Sequence, residues 1–128
     1  MAGVGLGKSA GLASGGTRYY GGHVVKVATW NVNSIRARLD HALEWLERMK
    51  PDVLCMQETK VLDDDFPTDE FMRLGYGVAM AGQLSYNGVA ILSQLPMKEL
   101  SIGLLGEPDG ADKRAIAATI AGIHIFSV

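Results

Sequence analysis

The stretch whose reading decides the fold is Asp52-Val-Leu-Cys-Met-Gln-Glu-Thr-Lys60. Four apolar residues, Val53 to Met56, run directly into Gln57, Glu58, Thr59 and Lys60. A short apolar run that meets a polar turn reads as a strand buried on both faces. Its carboxyl end sets a carboxylate, a hydroxyl and an ammonium group side by side. Ligands of α/β sheets bind in the crevice at the carboxyl ends of strands, so Glu58 stands where chemistry is expected.

Upstream, Val24, Val25, Val27 and Ala28 lead to Trp30 as an earlier strand that ends at Asn31. Ser34 can cap a helix. Ile35, Leu39, Ala42, Leu43, Leu46 and Met49 recur at spacings of three and four and give that helix one apolar face, which Pro51 ends. Strand, helix and strand in this order predict parallel strands joined by a right-handed crossover, so Asn31 and Glu58 emerge at the same edge of the sheet. Downstream, residues 66–74 read as a short helix with Gly75 beyond its end, and residues 76–81 and 88–93 as strands. Pro96 breaks the pattern, residues 103–112 are loop, and residues 115–120 and 123–128 form a hairpin through Ala121-Gly122.

The 128 residues have room for one modest domain, and 48% hydrophobic with 20% charged residues is a globular, soluble composition. No apolar run approaches the roughly 18 residues of a membrane span. Cys55 is the only cysteine, which excludes an intramolecular disulfide; inside its apolar strand it reads as core filler and fits a reducing cytoplasm. A net charge of −2 carries no nucleic-acid footprint by itself, but residues 1–39 hold Lys8, Arg18, Lys26, Arg36 and Arg38 and no acid. The acids Asp63, Asp64, Asp65, Asp69 and Glu70 read as a solvated loop. Residues 1–22, rich in Gly, Ala and Ser, read as a flexible tail, with only a faint trace of a transit peptide. Ala2-Gly-Val-Gly-Leu-Gly-Lys-Ser9 imitates a relaxed P-loop without the preceding strand and following helix that a phosphate cradle needs. His23, His41 and His124 have no ligand spacing to another His, Cys or acid.

One Glu with one Asn cannot activate water by ordinary acid–base catalysis. They suit a hard cation instead: Mg²⁺ takes oxygen ligands, usually one or two carboxylates, and leaves its other positions to water and phosphate. Glu58 is the candidate metal ligand, and Asn31 would orient it or bind a phosphate oxygen. Lys60, Arg36 and Arg38 would neutralise phosphate.

The stretches Trp30-Asn-Val-Asn-Ser-Ile-Arg-Ala37 and Lys50-Pro-Asp-Val-Leu-Cys-Met-Gln-Glu-Thr-Lys60 resemble the exonuclease III and abasic-site endonuclease branch of the endonuclease/exonuclease/phosphatase family. Leu74-Gly-Tyr76, Tyr86-Asn-Gly-Val-Ala-Ile-Leu92 and Lys113-Arg-Ala-Ile116 continue the likeness in order over residues 23–128. The resemblance implies an α/β fold, a four-layer sandwich of two halves, of which residues 23–128 would be the amino-terminal one: a mixed sheet with helices on its outer face. It implies Mg²⁺-dependent (Mn²⁺ as a substitute) cleavage of phosphodiesters in double-stranded DNA at abasic sites or 3′ ends, by a cytoplasmic enzyme that is monomeric when full length; organelle and nucleus stay open. Asn31 and Glu58 would be the catalytic and metal residues, and Arg36, Lys60, Asn87 and Arg114 would face DNA.

The family's Asp-x-Asn base and its His come from later segments, and this sequence has no Asp-x-Asn. Without the base, water is not activated, and without the His the charge developing at phosphorus loses a donor. The chain alone is therefore expected to be inactive. With its inner sheet face uncovered, Val27, Val53, Cys55 and Ile91 would meet solvent and weaken the fold. Two alternatives stand beside this reading: a non-catalytic fragment needing a complementary half, and a relative that cleaves phospholipids or inositol phosphates. Arg36, Arg38 and Lys60 favour DNA.

Overall fold

The structure is a computed structural model that describes residues 4–7 and 19–128, apart from residue 109. Strand β1 (Val4–Gly7) and the short β2 (Tyr19–Tyr20) both pair antiparallel with β3 (His23–Asn31). These two strands fall within the expected flexible tail, whose remainder lies outside the described residues apart from the Gly21-Gly22 turn. In particular, Val4–Gly7 sits inside the P-loop imitation as an edge strand, not as a loop entering a helix.

Helix α1 (Ile35–Met49) follows β3 for the reasons the sequence suggests. The Ser34 hydroxyl accepts a hydrogen bond from the Ala37 N–H at 3.4 Å, and Arg48 lies in the last turn, where a cation favours the helix dipole. Lys50 ends the helix in the left-handed conformation, and its N–H donates to the Leu46 carbonyl. The chain re-enters the sheet as β4 (Val53–Gln57), parallel to β3 with Asn31 opposite Gln57. After a turn of 3₁₀ helix at Asp63–Asp65 comes α2 (Thr68–Arg73), shorter than expected, then β5 (Gly77–Ala81) and β6 (Val89–Ser93). The first sheet has the order β1-β3-β4-β6-β5, with β2 also on β3, and only the β3–β4 pair is parallel among those described.

Strands β4 and β6 are apolar up to their last residues, Gln57 and Ser93, because both faces are covered. On the outer face Leu54, Met56, Ala90 and Leu92 pack against Ile35, Ala42 and Leu46 of α1 and against Phe71 and Tyr76. The Tyr76 hydroxyl donates to the Pro51 carbonyl at 2.6 Å, tying the start of β5 to the helix exit, and burial pushes this phenol up to about 12.

The inner face corrects the sequence-based expectation. A second, three-stranded sheet of β7 (Met97–Ile102), β8 (Ile116–Ile120) and β9 (Ile123–Ser127) lies against it. Ile116, Ala118, Ile120 and Ile125 pack on Val53, Cys55, Val89 and Ile91, so Val53 and Ile91 are fully buried, Cys55 nearly so, and Val27 half-buried. The chain thus covers its own inner face. Its apolar periodicity allows this: β8 buries every second residue, and β9 joins it through a tight turn with Ala121 and Gly122 at φ 53° and 73°. Strand β7 was not expected. It is an edge strand with Lys98 to Ile102 all exposed and a register slip between Lys98 and Ser101, so it carries no buried alternation to detect.

Two outcomes test this packing. Ile91→Ala is expected to cost about 2–5 kcal/mol in urea unfolding, as for other buried aliphatic truncations; a loss below about 1 kcal/mol would mean that the second sheet does not cover the face. Burial also raises the Cys55 thiol from an ordinary 9.0 to about 11. A raised pKa favours the folded state below pH 9, and that contribution disappears as pH climbs from 9 to about 11. The urea midpoint should therefore fall more steeply across that window in the wild type than in Cys55→Ala, whereas parallel declines would place the thiol in water.

Candidate active site

The pairing of β3 with β4 does not stop where the strands do. Beyond Asn31 and Gln57, the N–H groups of Val32, Ser34 and Ile35 donate to the carbonyls of Gln57, Glu58 and Thr59 at 3.0, 2.9 and 3.0 Å. The β4 exit is held from its other side too, where the N–H groups of Thr59 and Lys60 donate to the carbonyls of Gly88 and Asn87 at 3.1 and 2.9 Å. Between these two rails the backbone is forced into left-handed conformations: φ is 53° at Glu58, 59° at Lys60, 45° at Asn33 and 84° at Ser34. Non-glycine residues adopt such angles only where their surroundings over-determine them, and such strain clusters at functional sites.

The twist at Glu58 has a direct consequence. Asn31 and Gln57 are cross-strand partners, so strict alternation would send Glu58 to the opposite, helix-covered face. The left-handed turn returns its carboxylate to Asn31, whose Nδ2 donates a hydrogen bond to Glu58 Oε2. Asn31 Oδ1 accepts from the Asn33 N–H at 3.1 Å, which fixes which end of the amide faces Glu58. Lys60 Nζ lies 3.6 Å from Glu58 Oε1 and donates to Asn33 Oδ1 at 2.6 Å.

A shallow cleft of about 280 Å³ opens beside this pair, bordered by Asn31, Glu58, Asn87 and Arg114. Gln57, Tyr86, Gly88, Val89, Lys113 and Val128 complete its wall. Four of the seven residues singled out from the sequence therefore meet at one cleft, with Lys60 adjoining it; Arg38, on α1, is not among the lining residues. Arg36 does not join them; it stands over the acidic turn, 3.4 Å from Asp65. Arg114 pairs with Asp112 at 2.8 Å, and hydrogen bonds from Gln83 and then Arg114 hold the Asp112 carboxyl below its usual range. Gln83 also accepts from the Lys113 N–H at 2.6 Å, so one side chain secures the whole basic pair.

Gly88 is required by close approach. Its φ is 103°, and a Cβ there would strike the hydroxyl of Thr59, which is buried and has no hydrogen-bond partner among the described residues. The Gly88 N–H donates to the Lys113 carbonyl at 2.9 Å, linking the turn before β6 to the basic pair before β8. Sequence reasoning did not assign Gln57, Tyr86, Lys113 or Gly88 to the site, although Tyr86-Asn-Gly and Lys113-Arg stood out as motifs. The three histidines take structural places: His124 Nδ1 meets Thr119 Oγ1 at 2.8 Å across the hairpin, His23 lies 3.5 Å from Asp52, and His41 is exposed on α1.

Comparison with known proteins agrees with this architecture. The chain is 38% identical over 97 residues to exodeoxyribonuclease III of Haemophilus influenzae, an alignment that covers 75% of this chain and 36% of that protein. It is 30% identical over 100 residues to the DNA repair nuclease APEX1 of Danio rerio, covering 73% of this chain and 32% of the relative. Among solved structures, an AP endonuclease from Archaeoglobus fulgidus superposes with a TM-score of 0.73 at 49% identity, over 78% of this chain and 38% of that one. The 3′-5′ exonuclease NExo from Neisseria meningitidis gives 0.75 at 38% identity, over 78% and 39% of the two chains. The chain thus spans between 32% and 39% of the length of these relatives. The profile of the Endonuclease/Exonuclease/phosphatase family matches residues 28–128, from the middle of β3 through β9, and the chain belongs to that family.

Proposed function

We propose that this chain forms the metal- and phosphate-binding face of a DNA-repair phosphodiesterase that acts on abasic sites or 3′ ends in double-stranded DNA. The observation that carries the reading is the Asn31–Glu58 hydrogen bond, formed at the joined ends of β3 and β4 beside Lys60, Lys113 and Arg114. The names of the relatives favour DNA as the substrate; one Neisseria structure is a 3′ phosphatase bound to a product DNA hairpin.

The donor set fits Mg²⁺, with Mn²⁺ as a substitute. Glu58 offers one exposed carboxylate, and among the described residues no group of three or more His, Cys, Asp or Glu forms a closed protein cage. A hard cation that keeps several waters and takes substrate phosphate needs only such a carboxylate, whereas zinc would seek His or Cys. Once bound, the cation would supply Lewis-acid polarisation of a phosphate oxygen. Asn31 holds the Glu58 carboxylate in place, and its own oxygen is engaged by Asn33. Lys60, Lys113 and Arg114 supply positive charge for the phosphodiester, and Asn87 offers an amide to the same wall. Arg36 would meet DNA only at the periphery.

One acidic side chain and no imidazole line this cleft among the described residues. These side chains bind and orient, and a water-activating base has to come from elsewhere. In Mn²⁺ titrations followed by electron paramagnetic resonance, Glu58→Gln should weaken binding more than tenfold and Asn31→Ala by about tenfold. Unchanged affinity in Glu58→Gln contradicts the metal assignment. The chain should also bind an abasic-site duplex with an affinity that falls with salt, and removing Lys113 and Arg114 together should reduce the log–log slope by about 2. No incision is expected from the chain alone; robust, chelator-sensitive incision would contradict the assignment of water activation to other residues.

A further inference from the structure

The polar residue just before Glu58 has a role that its place in the strand does not explain. Gln57 lies on the inner face, where its neighbours along β4 are apolar. Its Nε2 donates to Thr29 Oγ1 of β3 at 3.0 Å and to Ser127 Oγ of β9 at 2.9 Å. Ser127 in turn donates to the Met56 carbonyl at 2.9 Å and is buried. One planar amide thereby uses both N–H groups to join three strands from two sheets, one peptide away from the proposed metal ligand.

We propose that Gln57 is a positioning residue: through Thr29 and Ser127 it locks the end of β4 against β3 and the second sheet and so fixes where Glu58 presents its carboxylate. The left-handed Glu58 follows Gln57 directly, so any rotation of the Gln57 peptide swings the carboxylate relative to Asn31. Among the uncharged polar side chains, only a primary amide offers two donors from a single atom. The Ser127 bond also makes seating of the second sheet a condition for an ordered metal site. Partners of this kind, one step removed from a ligand, typically change metal affinity 10–100-fold. The inference rests on Glu58 being the metal ligand.

Mn²⁺ affinity of the 128-residue chain, measured well below the unfolding temperature, tests it. Thr29 is exposed, so Thr29→Val removes its hydroxyl at nearly constant shape, while Thr29→Ser keeps it. Thr29→Val and Ser127→Ala should each weaken Mn²⁺ binding about tenfold, with Thr29→Ser binding like the wild type. If Thr29→Val and Ser127→Ala lower thermal stability yet bind Mn²⁺ as the wild type does, while Glu58→Gln loses it, the bonds are merely structural and the positioning role is overturned. If Glu58→Gln itself binds like the wild type, the metal reading fails and the inference falls with it.

Discussion

The site depends on one constraint, the pairing of β3 with β4 that continues past the strand ends. Three further N–H groups, from Val32, Ser34 and Ile35, follow the β4 exit as it leaves the sheet. A strand end left to itself would relax into the extended or helical regions, and Glu58 would follow the pleat to the helix side. Held by these bonds and by those to Asn87 and Gly88, the segment keeps left-handed turns at Glu58 and Lys60. Each such residue costs of order 1–3 kcal/mol, and the sum is tolerated only because backbone bonds on both flanks allow no alternative. The result is a carboxylate, an amide and an ammonium group converging on one side of the sheet.

The rest of the fold keeps those rails rigid. Strand β4 is central, with α1 and Tyr76 on one face and β8 and β9 on the other, so its apolar run is enclosed throughout. Polar contacts across the inner interface gather where β4 ends, at Gln57 and Ser127. Apolar packing sets the separation of the two sheets without choosing a register; directional hydrogen bonds at the end of β4 choose it. Stability and site geometry thus come from adjacent residues of the same strand.

The strand–helix–strand unit was legible because its signals are local: Ser34 caps, Pro51 follows the helix exit, and parallel topology brings Asn31 and Glu58 to one edge. The meeting of Asn87 and Arg114 with them was legible only through family resemblance, because nothing in the spacing relates Asn87 to residues 58–60. What stayed hidden is long-range or conformational. Ser127 reaches Gln57 across 70 positions of sequence, and no periodicity encodes that contact. The left-handed angle at Glu58 leaves no trace either, since a glutamate there looks like any strand-end residue. The apolar residues of β8 and β9 signal a hairpin, but nothing local marks them as the lid of the inner face. That is why Val53 and Ile91 were expected in solvent and are instead buried.

The most direct test is crystallographic: crystals grown or soaked in MnCl₂, with an anomalous difference map at the end of β4. An anomalous peak is expected within coordination distance of a Glu58 carboxylate oxygen, with Asn31 still hydrogen-bonded to that carboxylate. A map in which Mn²⁺ orders elsewhere while the Glu58 carboxylate stays bare would contradict the assignment.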